Sequence, residues 1–304
     1  MMVQMYGVGR QFGRRAALRG LNLSVPEGST FALIGANGAG KTTAIRVLMN
    51  ILSPSTGRVE VLGVDSRKLS QLELAQIGYV SENQILPPRM TVAGYLNYLR
   101  PLYPSWDRQL EASLLGRLRL PREPRIAALS HGMRMKMALT CALSFRPKLL
   151  VLDEPFSGLD PLVRDEFMEH LISQAGDMTI LISSHELADI ENLATHVGFI
   201  DKGRLLFEES MGDLSARLRE VRVTLSREAS APTTPPPEWL NVRAIGNVLT
   251  FVETHYCDEA SSRRIQSLLI GVRNIDAQPV GLRAIFTTLI RAIQEEGATH
   301  ASHE

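Results

Sequence analysis

Three stretches of the chain are apolar almost without interruption: "STFALIG" (Ser29 to Gly35), "KLLVLDEP" (Lys148 to Pro155) and "MTILISSH" (Met178 to His185). Short runs of this kind, bounded by glycine, proline or charge, predict strands buried on both faces. After the first, "KTTAIRVLMNIL" (Lys41 to Leu52) carries its apolar positions at helical spacing and predicts a helix leaving the strand. Strand and helix patterns alternate over the first two-thirds of the sequence, which predicts an α/β fold built on a parallel sheet. "VGFIDKGRLLFEES" (Val197 to Ser210) predicts a hairpin turning at "DKG". Between Glu82 and Pro124 the pattern becomes helical and aromatic, with Tyr95, Tyr98, Tyr103 and Trp106 close together.

Past Glu220 the character changes. A Ser-, Thr- and Pro-rich stretch, 226–238, cannot pack as an element and reads as a linker or long loop. Beyond it "NVRAIGNVLTFVET" predicts a hairpin around Gly246-Asn247, followed by a helix from about Ser261 and a last helix near Gly281 to Glu296. The expected organisation is a larger α/β domain over 1–216 and a small α+β domain over 217–304. His300 and His303, in the closing "ATHASHE", read as solvated tail and not as metal ligands.

Composition narrows the class. Hydrophobic residues make up 44% of the chain and charged residues 21%, the profile of a soluble globular protein. A net charge of +1 offers no broad surface for nucleic acid or anionic lipid. The two cysteines, Cys141 and Cys257, lack metal or redox spacing and fit buried, inert thiols in a reducing compartment. There is no signal-peptide pattern, and no apolar run approaches the ~18 residues of a membrane span. Any membrane role is therefore expected to run through a partner.

The candidate chemistry begins at "GANGAGKT", Gly35 to Thr42, which matches G-x-x-x-x-G-K-[ST] between a predicted strand and a predicted helix. Gly35, Gly38 and Gly40, with Asn37 and Ala39 between them, let backbone amides curl into an anion nest. The new helix adds its unpaired N–H groups and positive dipole end. Lys41 is expected at the β- and γ-phosphates, Thr42 at Mg²⁺ and Thr43 at the α-phosphate. In "LLVLDEP", Asp153 ends a buried strand and is expected to hold the metal's water shell. Glu154 is expected to face the attacking water as general base or water-orienting residue. His185, directly after another buried strand, is placed to donate to the γ-phosphate; a structural histidine is the alternative.

In order, the phosphate loop, "YVSEN", "LSHGM", "VLDEP", "SGLD" and "SSH" resemble the nucleotide-binding subunit of ABC transporters over roughly residues 3 to 215. The resemblance implies a P-loop ATPase: a parallel β core, an antiparallel β subdomain and a helical subdomain at about 84–145. It implies a homodimer or heterodimer in which two ATP molecules are sandwiched head to tail. "LSHGM" looks like the signature Leu-Ser-Gly-Gly-Gln, with Ser130 and Gly132 kept, and His131 and Met133 departing from it. In the family the serine and second glycine touch the opposing γ-phosphate, and His131 either adds a donor there or merely points into the groove. Phe12, in "GRQFG", falls where the family stacks an aromatic ring on adenine, with a core phenylalanine as the alternative. Glu82 stands where many members have a glutamine that contacts Mg²⁺ and the attacking water. Asp160, in "SGLDP", matches the loop that couples the two sites.

The expected activity is ATP hydrolysis with Mg²⁺, powering a separate ABC-2-type permease from the cytoplasmic face of a bacterial membrane, for export. The alternative is a soluble ABC-type ATPase of translation or DNA repair. Such chains carry two cassettes or long coiled-coil insertions, and neither pattern occurs here. A GTPase is disfavoured by the lack of an Asn-Lys-x-Asp stretch.

Overall fold

The computed structural model describes residues 1–174, 178–186, 190–226, 232 and 235–281. The chain divides into two compact units, Met1–Glu208 and Glu209–Glu304. The first opens with β1 (Val3–Phe12) and β2 (Arg15–Val25), then β3 (Thr30–Ile34), α1 (Lys41–Leu48), β4 (Thr56–Val61), β5 (Val64–Asp65), α2 (Gln71–Leu74) and β6 (Ile77–Ser81). It continues through α3 (Val92–Leu99), α4 (Arg108–Arg117), α5 (His131–Leu143), β7 (Leu149–Asp153), α6 (Pro161–Gln174), β8 (Thr179–Ser184), β9 (His196–Asp201) and β10 (Arg204–Ser210).

Two sheets organise this unit. An antiparallel one has the order β2-β1-β4-β5, and a six-stranded one has the order β10-β9-β3-β8-β7-β6. In the second, β3 pairs in parallel with β8 and β9, and β7 with β6 and β8. All five residues of β3 and of β7, and all six of β8, are buried, which is why their sequences read as unbroken apolar runs. The main core joins the two sheets through Leu18, Leu21, Phe31, Leu33, Ile45, Leu48 and Val151.

Helix starts follow local chemistry. Thr91, Asp107 and Ser130 accept hydrogen bonds from backbone amides one turn into α3, α4 and α5, satisfying donors that the helix leaves open. The helix expected over Lys41 to Leu52 stops at Leu48, because Asn50 takes a left-handed φ of 55° that no continuing helix adopts. Helices α3 to α5 pack their own core of Leu86, Val92, Leu96, Leu115, Ile126 and Met137. Of the aromatic run, Tyr95 and Trp106 pack on that core, Tyr98 is exposed, Tyr103 stacks on Phe145 at 4.1 Å, and the Trp106 indole donates to buried Glu111 at 2.9 Å.

The second unit contains α7 (Met211–Arg217), β11 (Arg219–Leu225), β12 (Trp239–Ile245), β13 (Val248–Glu253), α8 (Asp258–Leu268) and β14 (Val272–Pro279). Its antiparallel sheet has the order β12-β13-β11-β14 and a core of Val221, Val223, Trp239, Leu249, Phe251 and Ile265. The hairpin at Gly246-Asn247 is present, and α8 begins at Asp258, ahead of the expected Ser261. Sequence reasoning passed over β14, which is exposed at most positions and alternates only over Ile275 to Pro279. Cys141 is buried as expected, whereas Cys257, in the loop before α8, is exposed. The expected helix beyond Gly281, His300 and His303 lie outside the described residues.

Candidate nucleotide-binding site

Strand register creates the site. Ser81, Asp153 and Ser183 are paired across β6, β7 and β8, and Ile34 pairs with Ser184 across β3 and β8. The residues that follow them, Glu82, Glu154, His185 and Gly35, therefore emerge along one carboxyl edge of the sheet, where α/β folds bind ligands. A cavity of about 610 Å³ opens there. Phe12, Asn37, Gly38, Gly40, Lys41, Thr42, Thr43, Glu82 and Glu154 line it.

The loop between β3 and α1 is glycine-dependent for two separate reasons. A Cβ on Gly35 would lie 2.3 Å from the Ile200 carbonyl oxygen, a backbone atom that cannot step aside. Gly40 caps α1 at φ 118°, a conformation closed to L side chains, with the Ala17 carbonyl 2.9 Å from its would-be Cβ. Asn37 and Gly38 are exposed at the loop crown, while Ala39 is buried beneath it. The result is a backbone cradle at a helix N-terminus whose first amides have no intrahelical acceptor.

Buried Lys41 sits under this cradle. Its ammonium donates to the Gly35 and Ala36 carbonyls at 2.5 and 3.2 Å and pairs with Glu154 Oε1 at 3.0 Å. The other Glu154 oxygen lies 2.7 Å from His185 Nδ1. Glu154 faces away from Asp153, as simple strand alternation would also place it. The cause differs: β7 has ended, and Glu154 takes a left-handed φ of 51° while its amide donates to Ser183 Oγ at 2.9 Å. A non-glycine residue held there carries backbone strain of order 1 kcal/mol or more, kept by the contacts around it.

Asp153 is buried, and accepts from Ser183 Oγ at 2.8 Å and Thr42 Oγ1 at 3.1 Å. Burial pushes its carboxyl above the usual range; the two hydroxyls pull it down and the Glu154 charge raises it again. Thr42 and Asp153 form a hard oxygen pair of one hydroxyl and one carboxylate. Among the described residues no cluster of three His, Cys, Asp or Glu side chains could hold a metal unaided. That donor set suits Mg²⁺, which binds through one or two protein oxygens and takes the rest from phosphates and water.

Phe12 ends β1 and is 46% exposed. The Arg10 guanidinium lies 4.7 Å from the ring centroid and donates to the Ser53 carbonyl at 2.7 Å, so an anchored cation backs the ring. The ring is thus a half-open platform at the mouth of the cavity and no core phenylalanine.

The remaining sequence candidates lie apart from the cavity lining. Ser130 is exposed and caps α5 by accepting from the Met133 amide at 3.2 Å, which leaves its hydroxyl proton available. His131 folds back within the chain, with Nε2 3.1 Å from the Ser157 carbonyl, and Gly132 lies against Val163. Asp160 accepts from the Val163 amide at 3.1 Å at the start of α6. Sequence reasoning missed Arg15, Arg19 and Lys202, which add positive charge to the cavity wall, and Ser183, which orients both acids. Strand alternation two residues before His185 was a usable signal for Ser183. The three cations had none: Arg15 and Arg19 lie on β2 and Lys202 lies in the turn between β9 and β10, so only the fold brings them together.

The ABC transporter family model matches residues 18–157. The lantibiotic transport ATP-binding protein SrtF of Streptococcus pyogenes is 31% identical over 223 residues, covering 72% of this chain and 95% of that protein. The Nod factor export ATP-binding protein I of Rhizobium leguminosarum bv. viciae is 32% identical over 276 residues, covering 81% and 89%. A solved ATP-binding subunit of an ABC transporter superposes with a TM-score of 0.65 at 26% identity, covering 71% of this chain and 92% of that one. With a phosphate cradle, a buried lysine and paired acids at one sheet edge, the chain belongs to the ATP-binding, ATP-hydrolysing subunits of ABC transporters.

Proposed function

We propose that this subunit powers export through a separate ABC-2-type permease, as a peripheral protein on the cytoplasmic face of a bacterial membrane. We further read residues 1–216 as the ATP-binding domain, with 84–145 as its helical subdomain, and 217–304 as a small α+β domain. The observation that carries the catalytic part is the contact of Lys41 with Glu154, at 3.0 Å, on the wall of the phosphate cavity. The direction of transport draws on the relatives, whose names specify lantibiotic transport and Nod factor export.

In this reading adenine stacks on Phe12 and the phosphates lie along the backbone from Gly35 to Gly40. Lys41 leaves Glu154 for the β- and γ-phosphates, and Thr43 takes the α-phosphate. Thr42, Asp153 and Glu82 would hold Mg²⁺, which would neutralise charge building on the phosphate oxygens. Freed of Lys41, Glu154 accepts a proton from, or orients, the attacking water. His185 orients Glu154 and donates to the γ-phosphate. Ser130, His131 and Gly132 serve the nucleotide of a second subunit, in a homodimer or heterodimer, and Asp160 shapes the loop crossing that interface. No nucleic acid is a substrate.

Solubilised membranes from cells expressing the tagged chain test the assignment. The expected result is co-purification of a multi-span permease with ATPase activity. Recovery with ribosomes or DNA, without a permease, would overturn it.

A further inference from the structure

We propose that Ser157 is a positioning residue that ties the Glu82 carboxylate to the tip of the helix bearing Ser130. Occupancy of the cavity is thereby read at a surface that is not part of it. The inference rests on the nucleotide reading of the cavity.

Ser157 is gripped from three sides. Its hydroxyl donates to Glu82 Oε1 at 2.6 Å, a short bond to an anionic acceptor. Its amide donates to the Glu154 carbonyl at 3.2 Å, in the turn that leaves the catalytic edge. Its own carbonyl lies 3.1 Å from His131 Nε2. A carbonyl has no proton to give, so Nε2 carries it, and the first residue of α5 holds the Ser157 peptide. The contact is broader than one bond: the His131 ring also borders Gly158, and Gly132 borders Leu159 and Val163.

Both side chains that reach Ser157, Glu82 and His131, stand at positions where the sequence departs from the resemblance. A glycine at 131 has no side chain to reach the Ser157 carbonyl. Glu82 lines the same cavity as Lys41 and Thr42. When Glu82 turns toward a nucleotide-bound cation, Ser157 either loses its acceptor or follows it. Either motion moves the peptide that His131 holds. The chain thus has one discrete contact through which a filled cavity changes the first turn of α5, before a second subunit is engaged.

Hydrogen exchange read by mass spectrometry tests this on the full chain, diluted until light scattering reports a monomer. The probe is a non-hydrolysable ATP analogue with Mg²⁺. In the parent protein, exchange is expected to slow at residues 40–45 and to change at residues 129–134. Ser157→Ala is expected to keep the first response and lose the second, and Ser157→Thr, which keeps the hydroxyl, to restore it. A parental response at 129–134 in Ser157→Ala, or none there in the parent while 40–45 responds, would overturn the proposal. Silence at 40–45 in the parent would remove the nucleotide reading and the proposal with it.

Discussion

Glu154→Gln tests the site most directly, because it changes one charge and almost no volume. The Lys41 side chain is 5% exposed, its Glu154 partner is 12% exposed, and their charged atoms are 3.0 Å apart. At an effective dielectric constant of about 20, that separation corresponds to a gross attraction of about 5.5 kcal/mol. Desolvation offsets most of it, and the phosphates replace the lost partner when nucleotide binds. A residual of about 1–2 kcal/mol is what ATP must overcome to draw Lys41 away, equivalent to roughly 5- to 30-fold in affinity. The expected outcome is therefore tighter ATP binding in Glu154→Gln by that factor, measured by calorimetry without Mg²⁺. Turnover is expected to fall about 10²- to 10⁴-fold, since the proton acceptor is gone. The same variant should accumulate an ATP- and Mg²⁺-dependent dimer in light scattering. Unchanged or weaker affinity would refute the competition between Glu154 and phosphate for Lys41. Parental turnover would refute the catalytic role.

Three further outcomes are expected. Phe12→Ala should weaken ATP binding about tenfold through lost base stacking and leave tripolyphosphate binding unchanged; an equal loss for both ligands would remove Phe12 from the adenine site. Asp153 has a raised carboxyl value, so the native chain takes up a proton above the ordinary value of 3.8, and its ionised form costs stability until a cation offsets it. Mg²⁺-dependent nucleotide affinity should therefore decline as pH falls, at a higher pH than an ordinary aspartate would allow. Asp153→Asn should abolish that pH dependence in a calorimetric series; an unaltered profile would show that another group sets it. Gly35→Ala would drive a Cβ to 2.3 Å from the Ile200 carbonyl, costing about 3 kcal/mol, or roughly 6–12 °C in melting temperature for a unit of this size. Parental thermal stability would contradict the close approach.

The legible parts of this protein were those where function or burial is written into contiguous residues. Continuous apolar runs announced β3, β7 and β8, since a strand covered on both faces has no polar side to show. The phosphate loop was legible because its backbone geometry restricts residue type at adjacent positions. The end of α1 and the exposed β14 were not, because a left-handed residue and a strand held mainly by its neighbour leave little periodic trace.

What the sequence determined by itself was the inventory: a cradle, a lysine, two acids, a histidine and an exposed serine at a helix start. Only the tertiary structure decided how they combine. Parallel register brought Glu82, Glu154 and His185 to one edge, a left-handed turn swung Glu154 onto Lys41, and a single carbonyl claimed the ring of His131. Those contacts join residues far apart along the chain. Their distances follow from how the sheet aligns its strands, a property of the whole fold that no local pattern contains.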